Sequence, residues 1–212
     1  MGKRSNFERR ERDFYPTPYE AVAPLFPHLL EDQTICEPCA GDGTLVRHLK
    51  RYRRVIEAFD IEPQDSSVAR GDATEPYHTK ANVIVTNPPW RREILHRIIE
   101  VAPVPAWLLF DADWVHTKQS IPFLPRLRKI VSVGRVKWIE GSKMTGKDNC
   151  AWHLFASWGG QTEFFGRSHG LGGGYADLFP EDRGVYIGCE QANVITASPR
   201  PVGEEKPNDM DT

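Results

Sequence analysis

The chain has 212 residues, 40% hydrophobic and 26% charged, which suits one sizeable soluble core and is short for two full domains. A formal net charge of −2 by itself points to no acidic partner. No apolar run approaches membrane-spanning length, the opening "MGKRSNFERRERDFY" has no signal-peptide apolar region, and four cysteines are too few for a disulfide scaffold, so a cytoplasmic enzyme without membrane contact is expected.

Residues 1–12 read as a basic N-terminal arm. The first predicted element lies in "YPTPYEAVAPLFPHLL", where Thr17 fits an N-cap, Pro18 the first helical position and Glu20 the partner of a capping box. Val22, Leu25, Phe26 and Leu29 supply its apolar face, and Pro24 should kink or shorten it. A short strand over Thr34–Glu37 then runs into the turn "EPCAGDG" and a helix carrying Leu45, Val46, Leu49 and Tyr52 on one side. "RVIEAFDIEP" predicts a second strand ending at Asp60, and "ARGDATEP" a turn around Asp72. Residues 81–86 predict a buried strand, "REILHRIIEVA" an amphipathic helix and "AWLLFDADWV" another buried strand. Strands alternating with helices imply an α/β fold with a doubly wound, mostly parallel sheet.

"KIVSVGRVKWIE" and "NCAWHLFASW" are two β-rich runs joined by "GSKMTGKDN", expected to pair antiparallel at one edge of the sheet. Residues 13–158 thus form the folded domain. Residues 159–212 read as a Gly/Pro-rich C-terminal extension, with the acidic tail "PVGEEKPNDMDT" expected to be disordered. From Arg126 to Lys147 there are seven Lys or Arg residues against Glu140 alone, a solvated face unless other residues point to nucleic acid. Trp107, Trp114, Trp152 and Trp158 are expected to pack in the core. Cys36 and Cys39 have zinc-like spacing but no second Cys or His pair completes a site, so no metal is expected.

The candidate chemistry collects at predicted strand ends. Gly41 and Gly43 permit a tight turn and close approach of backbone to a ligand, and the helix start after them offers N–H groups. Glu37 can bind a cationic or hydroxyl-bearing group, Asp60 can grip a ribose diol, and Asp72 can accept from an adenine amino group. Neither phosphate-binding glycine motif is present, so the implied ligand is a nucleoside without a phosphate clamp. In "NVIVTNPPW" two prolines stop a buried strand, leaving the Asn87 side chain and the carbonyls beside Pro88 next to the flat ring of Trp90. Taken alone, that tetrapeptide fits equally a holder for a flat amino-bearing ring and a strand-to-helix turn with a packed Trp.

Taken in order, "DFYPTP", "EPCAGDG", "FDIEP", "GDAT" and "TNPPW" resemble the S-adenosylmethionine-dependent amino-methyltransferases, most of all the small phage and bacterial DNA adenine-N6 enzymes. The resemblance covers residues 13–158 and implies a Rossmann-like class I methyltransferase fold. It implies that Tyr15, Thr17 and Pro18 border the methionine end of the cofactor, and that Glu37, Ala40, Gly41 and Gly43 form its floor. Asp60 with Ile61 would hold the ribose and Asp72 with Ala73 the adenine. Asn87, which also borders the cofactor, and Pro88 would accept from the target amine, with Pro89 shaping the turn and Trp90 stacking on a flipped base. Two acceptors draw the amine lone pair out of conjugation and aim it at a methyl group, so transfer is a direct displacement governed by positioning and electrostatics.

The match has Trp where Tyr or Phe is commoner, and no segment long enough for a conventional target-recognition domain. DNA contact is therefore assigned to Trp138, Lys143 and Lys147 of the basic segment and to Arg91 and Arg92 directly after the Trp90 turn, with low or short sequence specificity, in a monomer or homodimer. Arg91 and Arg92 fit a solvated helix start equally well. Alternatives are the same chemistry on an RNA adenine, a cytosine N4 or a protein glutamine, and a non-catalytic DNA- or cofactor-binding protein. The expected setting is the cytoplasm of a bacterial or phage-infected host cell.

Overall fold

A computed structural model describes residues 15–139 and 145–167. Residues 1–14, residues 140–144 with Lys143 among them, and the stretch from residue 168 onward lie outside the described residues.

The chain begins with a short helix, α1 (Tyr19–Val22), continued as a 3₁₀ turn over Ala23–His28. Pro24 and Pro27 lack the N–H groups that would carry an α-helix further, so the element tightens instead. Thr17 is not its N-cap: Pro18 occupies that position and no side chain caps the helix. Glu20 is not the partner of a capping box either, since its carboxylate accepts from the backbone N–H of Lys137 at 2.8 Å. Both residues satisfy groups distant in sequence, and Thr17 is taken up by the site described below.

Strands β1 (Thr34–Glu37), β2 (Arg54–Asp60), β3 (Ala69–Arg70), β4 (Val83–Thr86) and β5 (Ala106–Asp111) alternate with helices α2 (Thr44–Lys50) and α3 (Arg92–Val101). Three further strands follow: β6 (Leu127–Gly134), β7 (Cys150–Phe155) and β8 (Glu163–Phe165). They form one eight-stranded sheet in the order β3-β2-β1-β4-β5-β7-β6-β8. The first five are parallel, and β7 is antiparallel to both β5 and β6. This is a Rossmann-like, doubly wound α/β sheet of mixed direction. β6 and β7 form the expected antiparallel pair toward one side of the sheet, with β7 placed against β5 and β8 adding a short parallel strand outside β6. The β4 ladder is shorter than expected: it starts at Val83, and Asn82 instead exchanges hydrogen bonds with Thr34.

Every residue of β4 and β7 is buried, which explains their nearly continuous apolar runs. Helix α3 turns Leu95, Ile98 and Ile99 onto Ile84, Leu108 and Phe110. The N-terminal segment is pinned to the sheet by the Trp152 indole, which donates to the Ala21 carbonyl at 2.7 Å. Arg53 adds bonds to the carbonyls of Phe26 and Leu29. Trp107, Trp114 and Trp152 are core residues, whereas Trp158, past the end of β7, is 51% exposed.

His153 of β7 is fully buried and stacks on Phe110 with ring centroids 4.0 Å apart. Among the described residues neither ring nitrogen makes a hydrogen bond of normal geometry, although the carbonyls of Ala151 and Leu108 face the ring. Burial pushes its pKa down from 6.5 to about 3, so the folded chain holds it neutral. Its contribution is fully present above pH 6.5 and is lost as pH falls through that window toward the folded value. A His153→Leu variant should therefore gain on the wild type by about 3 kcal/mol between pH 7 and pH 4, read by chemical denaturation at both values. An unchanged difference between the two proteins would place the imidazole in contact with solvent.

Candidate active site

Strand order reverses in the sheet between the parallel neighbours β1 and β4, which two other strands separate in sequence. Ligands in such sheets sit beyond the carboxyl ends of the strands at that point.

Glu37 ends β1 there and is 0% exposed. One carboxyl oxygen accepts from Thr86 Oγ1 at 2.6 Å, from the end of β4, and from the Cys39 N–H at 3.2 Å. The other, Oε2, is buried without a hydrogen-bond partner among the described residues. Burial pushes the Glu37 pKa up to about 8; the bonds from Thr86 and Cys39 oppose that rise, and the charge of Asp60 adds to it. Cys36 and Cys39 are free thiols, pushed up by burial to about 12 and well above the usual value respectively. Neither is poised as a nucleophile or metal ligand.

The turn after β1 hooks onto the end of β2. Gly41 (φ 51°) and Gly43 (φ 74°) adopt left-handed backbone that a side chain would strain. The Gly41 N–H donates to Asp60 Oδ2 at 2.9 Å, and the Ala40 N–H to the Phe59 carbonyl at 3.0 Å. Asp60 Oδ1 accepts from the Glu62 N–H at 2.8 Å. Both oxygens thus shape the turn and keep lone pairs for a further donor. Of the N–H groups expected free at the start of α2, that of Thr44 is taken by Asp42 at 2.9 Å.

Beyond β3, Asp72 Oδ1 accepts from the Thr74 N–H and hydroxyl at 2.8 and 2.6 Å. Gly71 beside it packs on the Phe59 ring so closely that an added Cβ would lie 2.8 Å from it. Ala73 is buried in the core, and Ile61 is 52% exposed next to Asp60.

At the end of β4, Pro88 is buried while Asn87, Pro89 and Trp90 are half-buried. Asn87 Nδ2 donates to Thr17 Oγ1 at 3.1 Å. The Trp90 indole N–H donates to the Leu109 carbonyl of β5 at 3.1 Å and to Asn87 Oδ1 at 3.3 Å. The Trp90 ring meets Trp138 edge to face, with centroids 5.8 Å apart and planes at 88°. A pocket beside Trp90 is closed by Arg92, Leu95, Phe110, Asp111 and Trp114.

The fold therefore brings Thr17, Glu37, Asn87 and Trp90 into one bonded neighbourhood through Thr86, and joins Gly41 to Asp60. Tyr15 and Pro18 flank Thr17 in the chain and are half-buried. Trp138 joins through Trp90. Arg91, Arg92 and Lys147 are exposed, and Lys143 lies outside the described residues. The basic segment is smaller as a surface than as a sequence. Arg126 donates to the Ile99 carbonyl, buried Arg128 holds the carbonyls of Pro125, Leu127, Trp158 and Gly160, and Lys129 pairs with Glu163. These three are structural, leaving Arg135, Lys137 and Lys147 exposed in the described part of the segment. Sequence reasoning passed over Thr86, Leu109 and Asp111. Thr86, the polar end of an apolar strand, was the one signal available; the Leu109 carbonyl carries none.

No protein-family model matches this chain, and no curated protein sequence matches it. Solved structures resemble it distantly. A dimethyladenosine transferase from Plasmodium falciparum matches at TM-score 0.49 and 14% identity over 68% of this chain and 63% of that one. The type I restriction enzyme EcoKI M protein matches at 0.47 and 12% over 66% of this chain and 44% of that one. The 23S rRNA methyltransferase ErmE matches at 0.44 and 14% over 65% and 67%. This chain thus spans less than two thirds of the first two.

Proposed function

We propose that the chain is an S-adenosylmethionine-dependent methyltransferase that modifies the N6 amino group of adenine in DNA. The observation that carries this reading is the Asn87 amide, fixed beside Trp90 at the end of β4 and next to the switch point where buried Glu37 ends β1. A mere strand-to-helix turn has no need of an amide bonded at both ends.

The residues fit the cofactor. Glu37 offers a buried carboxyl oxygen with no hydrogen-bond partner among the described residues, Asp60 and Asp72 retain acceptor lone pairs, and Gly41 and Gly43 keep side chains out of the turn between them. Tyr15, Thr17 and Pro18 would border its methionine end, Glu37 and Ala40 its floor, Asp60 and Ile61 its ribose, and Asp72 and Ala73 its adenine. When bound it supplies a sulfonium methyl group. Asn87 and the Pro88 carbonyl then orient the acceptor amine, and Trp90 offers a face to a base extruded from the duplex at a cost of a few kcal/mol.

Arg91, Arg92 and Lys147 are exposed on the same chain and suit phosphate contact, with Trp138 as a second aromatic; Lys143 belongs to this proposed set. With so few base-reading groups, specificity should be low or short. Duplex DNA, single-stranded DNA, RNA and protein, each incubated with radiolabelled S-adenosylmethionine, should show most label in DNA. Sequencing of the methylated DNA should give a context of fewer than four bases. Label mainly in RNA or protein moves the acceptor, and confinement to one longer site refutes the low-specificity reading.

A further inference from the structure

The side-chain amide of Asn87 is bonded at both ends, and its two partners are not equivalent. Thr17, 4% exposed, has a hydroxyl that can donate or accept, so by itself it tolerates either end of the amide. An indole N–H only donates. At 3.3 Å from Asn87 Oδ1, the Trp90 N–H accepts no reversal of the amide, because a turned Asn87 would point its NH₂ at another donor. That N–H is itself aimed by the Leu109 carbonyl at 3.1 Å, whose strand is buried and cannot shift. The arrangement is a three-centre bond anchored on the sheet.

We propose that Trp90 and Thr17 are positioning residues for Asn87, together holding its amide with the oxygen on the Trp90 side and the nitrogen on the Thr17 side. The inference rests on the methyltransferase reading and adds to it a second use of Trp90, distinct from stacking. An amine acceptor is held by an amide oxygen and repelled by an amide NH₂, so the orientation of this one group decides whether the site can hold its substrate. The oxygen keeps a lone pair after accepting from Trp90, which leaves it able to take the amine hydrogen. A Phe at position 90 keeps a stacking face and supplies no N–H. The Trp in this chain is therefore a functional choice, and the Thr17 hydroxyl, placed by the sequence at the head of a helix, is diverted to the same task.

The test uses Thr17→Val, Thr17→Ser, Trp90→Phe and the Thr17→Val/Trp90→Phe double variant of the full chain. Nuclear magnetic resonance of the free protein reads the Asn87 side-chain NH₂ and the Trp90 indole N–H. Thr17→Val should move both signals and speed solvent exchange of the Asn87 NH₂, and Thr17→Ser should restore them. In single-turnover methylation of DNA, Thr17→Val and Trp90→Phe should each lower the rate about tenfold, the worth of one hydrogen bond to the transition state. The rates are read at saturating cofactor, which sets aside any contact of Thr17 with the methionine end, and the double variant should fall short of the product of the two losses, since both act on one group. Unmoved resonances in Thr17→Val overturn the proposal, as do fully multiplicative losses. An unchanged rate of Thr17→Val at saturating cofactor also overturns it, by leaving Thr17 no part in orienting Asn87. Failure of the wild type to methylate any acceptor overturns the methyltransferase reading and the positioning role together. The resonances, which need no turnover, separate that result from a missing orientation.

Discussion

Replacing Asn87 with alanine should lower the single-turnover methylation rate by about 10²–10³-fold, the loss typical of removing one preorganised polar group from a reacting centre. The fold should survive. Asn87 is half-buried, its bonds run to Thr17 and Trp90, and the strand before it is fixed by the buried residues Val83 to Thr86. The Trp90 N–H would keep the Leu109 carbonyl at 3.1 Å. In the proposed mechanism, what disappears is the acceptor that would draw the amine lone pair out of its ring. Rapid-quench kinetics and titration calorimetry with S-adenosylmethionine check this together, because binding within severalfold of the wild type assigns the loss to chemistry. An undiminished rate would remove Asn87 from the reacting centre and return the tetrapeptide to a structural turn.

Glu37→Gln should have the second large effect, with opposite signs on stability and on binding. Glu37 carries a folded pKa of about 8 against an ordinary 4.5, because burial disfavours its charge more than Thr86 and Cys39 favour it. The groups facing it are Cys36, Cys39, Asp60 and Tyr77, none of them a cation. A raised acid pKa means the folded state holds its proton longer than the unfolded state. Stability is therefore highest below the unfolded value and falls as pH rises through the window up to the folded value. Glutamine does not titrate, so the variant should gain on the wild type by roughly 4 kcal/mol between pH 4 and pH 8 in denaturant titrations. Cofactor affinity should fall at the same time, by about tenfold or more, since a neutral amide cannot answer a cation. Calorimetry in buffers of different ionisation enthalpy should show proton release on binding in the wild type and none in the variant. Equal stability gain at both pH values would mean that folding leaves the Glu37 carboxyl at its ordinary pKa.

The parallel half of the sheet was legible because its signals are local. Apolar runs end in an acid or a glycine turn, and each helix shows one apolar face, so Glu37, Asp60 and Asn87 could be put at strand ends before any coordinates. The antiparallel half was less so. Two β-rich runs and a short loop define a pair, but nothing local says that β7 inserts between β5 and β6 or that Glu163–Phe165 adds an eighth strand outside. Thr17 and Glu20 have helix-capping spacing, and tertiary contacts with Asn87 and Lys137 override it. Similarly Arg126, Arg128 and Lys129 counted as basic surface until their carbonyl and carboxylate partners were known. Hydrogen bonds spanning tens of residues, such as Thr86 to Glu37, leave no periodic trace in a sequence, and those bonds assemble this site.

The central claim is tested most directly by mass spectrometry of nucleosides from unmodified duplex DNA incubated with the protein and S-adenosylmethionine. N6-methyladenine that appears with the wild type and is absent with Asn87→Ala is the predicted result. A methylated cytosine would keep the chemistry and contradict the adenine assignment, and no methylated base in a protein that binds the cofactor would contradict the DNA methyltransferase reading itself.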